Sequence, residues 1–411
     1  MRGWLREAAG GLPRQFWFLW TGTLINRIGS FVVPFLSIYL TSERHFTQSQ
    51  AGLVIGLYGV GGAVGTMTGG MLTDRWGRRP TMLTAQFGAA ALMLTLGLTH
   101  PYPGILIVTT LLGAFAEGVR PAFGAMMVDI VPERDRVRAF SLNYWAVNLG
   151  FALAAIVAGL AAEANFTVLF VADAASTVLT GLITVLLLRE TRPAHRPAAS
   201  GVAPAAGLAT ALRDRTFLAF MLVNLLTVLV MLQHLSTLPI TMLTDGLSAA
   251  TYGWVIAVNG FLIVAGQLFV PRLIAGRRPH RVLAVAALIM GTGFGLVTFA
   301  HAAWMYAVTV VIWTLGEMLQ SPSNAATVAA LSPAPLRGRY QGLNSLSWSA
   351  GGTLAPILGG LVLQDRGTTA LWTGCFGLCA VAAAGHLATG PARVRRAALL
   401  TRETDTPSGV R

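Results

Sequence analysis

Five ionisable side chains fall inside stretches of this chain that are otherwise apolar: Arg27, Glu117, Arg120, His234 and Glu317. A charge held where water is scarce is costly, so each is a candidate for proton handling or ligand contact. Glu117 and Arg120 stand three residues apart, on one face of a helix, where they can pair. Burial and a neighbouring cation pull a carboxyl in opposite directions, so such a glutamate can gain and lose a proton near neutrality. Glu317 has no cation one turn away and opens a polar stripe with Gln320, Ser321 and Asn324. It is the favoured carboxylate for taking a proton in competition with a cationic ligand. The readings of the others stay open. Glu117 is a second proton site or one half of an internal ion pair with Arg120 or Arg27, and Arg27 is a static counter-ion or a contact for an anionic group. His234, near Gln233 and Thr237, is a satisfied polar residue or a proton carrier. Asp173, toward one end of its apolar stretch, is read as structural.

Other chemistries find no residues to carry them. A phosphate-binding loop ending in Gly-Lys-Ser/Thr is excluded because the chain has no lysine, and no H-E-x-x-H, G-x-S-x-G or Cys/His cluster occurs. The two cysteines, Cys375 and Cys379, are four apart and read as small apolar packing residues rather than a disulfide or a metal site. No enzyme, no metal and no cofactor beyond a coupling proton are expected.

The elements that must position these groups follow from composition. Hydrophobic residues make up 54% of 411 positions and charged residues 11%, too little polar surface for a water-soluble domain of this size. Apolar stretches recur twelve times, at about 16–40, 51–72, 80–99, 104–131, 138–162, 166–188, 216–243, 249–274, 281–301, 303–331, 338–364 and 368–389. Each is read as a membrane helix, because only helices and closed barrels satisfy the backbone in hydrocarbon and barrel strands would be shorter and alternate in polarity. The first stretch is too long for a signal peptide and contains Asn26 and Arg27. Of the 29 arginines, 25 fall in the tails and the even-numbered connections, two (Arg44, Arg366) on the other side and two (Arg27, Arg120) inside. That bias predicts cytoplasmic termini in a cell inner membrane, with anionic lipid headgroups as partners and no nucleic-acid site.

The expected domains are an N-terminal tail (1–15), a six-helix bundle (16–188), a Pro-, Ala- and Arg-rich cytoplasmic linker (189–215), a second six-helix bundle (216–389) and a disordered C-terminal tail (390–411). The halves echo one another. Pro132, Asn143, Gly150 and Gly159 return as Pro333, Asn344, Gly351 and Gly360, each 201 residues later, and Glu117 returns as Glu317. Repetition at that length is a feature of transporters built from two halves. The predicted fold is therefore an all-α membrane protein of twelve helices in two pseudo-symmetric bundles.

Between the second and third stretches the chain runs Gly70-Met71-Leu72-Thr73-Asp74-Arg75-Trp76-Gly77-Arg78-Arg79-Pro80. Pro80 suits a first helical turn, and the series Gly61, Gly65, Gly69 with Gly70 allows close helix approach. Asp74 can hold the positive N-terminus of another helix and the guanidiniums of Arg78 and Arg136. The pattern G-x-L-x-D-R-x-G-R-R-P resembles the signature loop of the major facilitator superfamily, and Asp129 to Arg136 is similar to a second family pattern. The resemblance implies that the first, fourth, seventh and tenth helices line a central cavity and that the Asp74 cluster latches the cytoplasmic side through the eleventh helix. By the same resemblance Asp129 is a gate partner. Gly351, Pro356, Gly359 and Gly360 resemble an antiporter motif, although in antiporters it sits in the fifth helix. The implied function is a monomeric secondary transporter that exports amphipathic or cationic small molecules in exchange for protons. Its cavity residues would be Glu317, Glu117, Arg120, Arg27, His234, Asn143, Gln320 and Asn324. The alternative is a proton symporter importing a small polar or anionic metabolite.

Overall fold

The apolar stretches become helices because a helix satisfies its own backbone. A computed structural model of the protein describes residues 10–192, 210–267, 269–333 and 336–405, and among these the regular structure is helical throughout. Helix α1 is broken into Arg14–Ile28, Val32–Ile38 and a π-helical turn Tyr39–Glu43. It is followed by α2 (Gln48–Arg75), α3 (Arg78–Leu98), α4 (Tyr102–Ile130), α5 (Arg136–Ala164) and α6 (Phe166–Leu187). In the second half α7 is also broken, into Arg215–Met231 and Gln233–Thr244, and precedes α8 (Ala249–Gly266), α9 (Pro279–Leu296) and α10 (Ala303–Leu331). A final helical run, Arg337–Asp405, bends at Gly367, whose φ of +80° favours glycine, and so divides into α11 (337–366) and α12 (368–405).

Among the described residues ten segments, not twelve, are long and apolar enough to cross a membrane by length and composition. Helices α11 and α12 follow one another across the bend at Gly367 with no intervening loop and so count as one 64-residue segment, and the polar stripe of α10 lowers its hydropathy despite its 29 residues.

Local signals set the ends. Thr47 and Gln50 form a reciprocal cap at the start of α2. Gly77, at φ +109°, makes the sharp turn into α3, with Pro80 in its first turn. Within the first half, α2 lies directly on α4: a side chain at Gly61, Gly65 or Gly69 would overlap the carbonyls of Thr110, Ala114 and Gly118. Gly70, by contrast, faces nothing within 4 Å, so it takes no part in that approach.

The halves meet through α2 on α11 and α5 on α8. A Cβ on Gly360 would sit 2.5 Å from the Gln48 carbonyl oxygen, and one on Gly159 would sit 2.9 Å from the Ala249 carbonyl oxygen and 3.2 Å from the Gly253 Cα. Both contacts lie at the end away from the arginine-rich loops. There Phe35 of α1 packs edge-on against Tyr252 of α8, ring centroids 5.3 Å apart, and Ser49 bonds to Gln364. One buried apolar cluster runs across both halves at this level.

The C-terminal tail departs from expectation. Helix α12 continues through residues 390–405, and only 406–411 lie outside the described residues. Basic side chains anchor it: Arg393 donates to the His386 carbonyl at 2.6 Å and rests 5.2 Å over the Phe220 ring, and Arg396 reaches Asp214, the residue that caps α7. Hydropathy ends at Gly390 because it does not register such pairings. The expected linker and N-terminal tail fall largely on residues 193–209 and 1–9, outside the described residues. Cys375 and Cys379 are free thiols buried on α12.

Gly253→Val should force α5 from α8, because the new side chain overlaps the Ala155 carbonyl. Spin-label distances across that contact should lengthen and the protein lose about 1–3 kcal/mol of stability. An unchanged distance would show that this glycine contact does not close the far end.

Candidate functional site

Two cavities meet at Arg27. The larger, about 780 Å³, lies between the halves. Its first-half wall carries Arg27 and Ser30 at the break in α1, Tyr58 on α2, and Glu117 and Arg120 on α4; its second-half wall carries Ser236 on α7 and Gln341, Asn344, Ser345 and Trp348 on α11. Gln341 and Asn344 belong to the opening turns of α11, so the cavity extends toward the arginine-rich end. The opposite end is shut by the α2/α11 and α5/α8 contacts.

Glu117 and Arg120 form a two-pronged ion pair, Nε to Oε2 at 2.5 Å and Nη2 to Oε1 at 3.0 Å, with the Arg120 side chain 61% exposed and that of Glu117 22%. Arg27 has no carboxylate within 4.0 Å among the described residues. The larger cavity therefore presents two guanidiniums against one carboxylate.

The smaller cavity, about 430 Å³, lies within the first half behind Arg27 and is lined by Asn26, Gln86, Asn143, Asp173 and Thr177 among others. Asp173, 3% exposed, accepts from the backbone N–H groups of Phe31 and Val32, both at 3.1 Å. A helix restarting at Val32 has N–H groups without intrahelical acceptors, and the carboxylate of α6 supplies one along with charge of the favourable sign.

Four expected cavity residues, Glu317, His234, Gln320 and Asn324, line neither of these cavities. Glu317 accepts from Asn259 Nδ2 of α8 at 2.7 Å and lies within electrostatic reach of Tyr144 on α5, so it sits where the halves adjoin but not in the shared chamber. Gln320 turns toward Asn224 of α7 at 3.4 Å, and Asn324 is buried. The break after Met231 directs His234 inward, with Nδ1 2.5 Å from the Met231 carbonyl oxygen and its ring 5.4 Å from Trp313. Depth along a helix is legible from hydropathy, whereas the direction a side chain takes depends on which helices lie beside it. Trp348 lines the larger cavity, whereas Trp313 is fully buried against Phe294.

On α11 the expected antiporter-like motif is spent on packing. Gly360 meets α2, Gly351 meets Val228 and Gly359 meets Gln233 on α7, and Gln233 also donates to the Ala355 carbonyl at 2.9 Å. Pro356 reaches the larger cavity.

At the arginine-rich end Arg78 pairs with Asp129 at 2.8 Å, and Thr191 donates to the same carboxylate at 3.0 Å. Arg79 donates to the carbonyls of Thr184 and Val185, and Arg136 to that of Val128 at 3.1 Å. Asp74 and Arg75 are exposed at the end of α2. Sequence reasoning missed Glu190. Its carboxylate accepts from the N–H groups of Arg78 and Arg79 at the start of α3, both at 3.0 Å, and nothing in its sequence context marks it as a cap for a helix 110 residues upstream. Burial raises the Glu190 carboxyl, but the N–H groups of Arg78, Arg192, Arg79 and Thr191 outweigh it and hold the group below the ordinary glutamate value.

Comparison with known proteins bears on this geometry. The family model described as Major Facilitator Superfamily matches residues 19–319 and 234–398. The chain is 24% identical over 358 residues to a Na(+), Li(+), K(+)/H(+) antiporter of Planococcus maritimus, covering 79% of this chain and 84% of that one. It is also 24% identical over 353 residues to the multidrug resistance protein MdtH of Aeromonas hydrophila, covering 85% and 87%. A POT family transporter crystallised with 5-aminolevulinic acid superposes with a TM-score of 0.80 at 15% identity, over 94% of this chain and 98% of that one, which establishes likeness of fold.

Replacing Glu190 with Gln removes the anionic cap of α3 and should lower thermal stability by about 1 kcal/mol at neutral pH. Because the folded pKa is depressed, the stabilisation is complete above the ordinary glutamate pKa of about 4.3 and is lost as pH falls through the lower folded value. Melting curves of wild type and variant should therefore converge in acid; a gap that persists would assign the loss to something other than charge.

Proposed function

The chain belongs to the Major Facilitator Superfamily, and on that footing we propose that it is a proton-coupled exporter of amphipathic small molecules working by alternating access. The arginine-rich end faces the cytoplasm under the positive-inside rule, in the cell inner membrane, and the 780 Å³ chamber is the site at which cargo loads. The observation that carries this reading is the Glu117/Arg120 pair, exposed to a chamber built by both halves. A proton on Glu117 releases Arg120, and a proton leaving restores the pair. Cargo that draws Arg120 away from the carboxylate therefore favours a proton on Glu117, and cargo that leaves the pair closed favours its release. Val33, Ile55, Phe151 and Trp348 supply apolar walls for the body of such a cargo. Each proton descending ~100 mV and about one pH unit supplies about 3.7 kcal/mol, from ~2.3 for charge and ~1.4 for concentration. Glu317, bonded to Asn259 beside the interface, is a second carboxylate for the same cycle.

The relatives do not choose the cargo, since two of them at 24% identity are named for alkali cations and for drugs. A second reading, import of a small anionic metabolite with protons, draws support from Arg27, which adds a positive charge to the chamber with no carboxylate within 4.0 Å among the described residues. The chamber charge speaks against a bare cation as cargo.

In vesicles with an imposed pH gradient, wild-type protein should drive ethidium against its own gradient. Glu117→Gln should abolish that drive while leaving downhill ethidium movement. Equal proton-driven efflux by the variant would remove Glu117 from the coupling step, and accumulation in the direction of proton flow would favour the importer.

A further inference from the structure

Asp173 is an awkward residue for a purely structural role. Its carboxylate is nine-tenths or more buried, it has no cation within 4.0 Å among the described residues, and its side-chain partners are two backbone N–H groups. A permanent charge so placed, with no counter-ion in contact, is costly. It also lines the 430 Å³ chamber, which shares Arg27, Tyr58, Glu117 and Arg120 with the cargo cavity. Toward the arginine-rich end that chamber is lined by the buried apolar side chains of Leu19, Met82 and Leu188, and at Arg27 it adjoins the cargo cavity.

The chamber suits water rather than cargo. Thr177, Thr180 and Thr184 follow Asp173 along one face of α6, and Asn26 donates to Thr177 Oγ1 at 3.1 Å. Gln86 Oε1 is buried with no partner among the described residues, and a buried carbonyl of that kind calls for a water. We propose that Asp173 is a further proton-binding carboxylate, reached from the cargo cavity through this chamber, and that its protonation state sets the break in α1.

The mechanical link is direct. When Asp173 is charged it holds the N–H groups of Phe31 and Val32 and pins the start of the Val32–Ile38 segment. That segment packs on Gln233–Thr244 of the other half, and its Phe35 meets Tyr252. A proton arriving from chamber water adds to a carboxylate oxygen and neutralises it, weakening both hydrogen bonds. The closed far end is then free to rearrange. The charged and titratable groups facing Asp173 are Arg27 from α1, Tyr58 from α2 and Glu117 with Arg120 from α4; α3 and α5 present the neutral Gln86 and Asn143.

The inference rests on the proton coupling proposed above, and one arm of its test needs no cargo. Infrared difference spectra of the full chain in lipid vesicles, acidified stepwise, should show a protonated-carboxyl band that disappears in Asp173→Asn and survives in Glu117→Gln. Asparagine keeps an acceptor for Phe31 and Val32, so the fold should hold. Gln86→Leu should slow hydrogen exchange of that band several-fold by drying the chamber. In the ethidium assay Asp173→Asn should lose proton-driven efflux and keep downhill movement. A spectrum identical in wild type and Asp173→Asn at every pH would overturn the proposal, as would full proton-driven efflux by the variant. If wild type drives no ethidium while the band behaves as stated, the cargo reading fails and the proton site stands.

Discussion

Everything in this molecule depends on two backbone-to-backbone contacts at one end of the bundle interface. In hydrocarbon there is no hydrophobic gain from joining helices, so association comes from close packing, and small residues permit it. Gly360 against Gln48 and Gly159 against Ala249 and Gly253 bring α11 to α2 and α5 to α8 where no side chain intervenes. Away from these contacts the halves diverge and leave a chamber. A joint weighted to one side, with a chamber opening on the other, is the geometry that the proposed alternating access would use.

The second constraint is that every backbone polar group inside the membrane must be satisfied. Both breaks at mid-membrane obey it with borrowed groups. At the break in α1 the acceptor is Asp173 from α6, and near the break in α7 the His234 ring lies against the Met231 carbonyl and Gln233 reaches across to the Ala355 carbonyl of α11. The two halves thus solve the same problem with different chemistry, an acid in the first and neutral side chains in the second. The charged residues follow the same division: Arg27, Glu117, Arg120 and Asp173 all belong to the first half, while the second contributes hydroxyls, amides and Trp348 to the shared chamber. In the shared chamber the charged side chains therefore lie on the first-half wall.

At the arginine-rich end the charges form a network inside the first half. Arg78 with Asp129, and Glu190 with the start of α3, hold α3, α4 and the chain after α6 together. Exposed ion pairs individually contribute little to stability. Their value here is positional, since they keep the loop that carries Asp74 in a fixed relation to its own bundle.

The hydropathy pattern, the arginine distribution, the 201-residue echo and the G-x-L-x-D-R-x-G-R-R-P run were enough to assign an all-α membrane fold and its superfamily. They were enough because membrane spans are dictated by length and polarity, which are properties of consecutive residues. The pairing of Glu117 with Arg120 was legible for the same reason, being three residues apart on one helix. What only the tertiary structure decided was direction and partnership between distant segments. It turned Glu317 toward Asn259 instead of into the chamber, sent His234 against Trp313, set Asp173 on the broken end of α1 and placed Glu190 over the N-terminus of α3. Those outcomes depend on which helices pack side by side, and a linear pattern of polar and apolar residues carries no record of its neighbours in space.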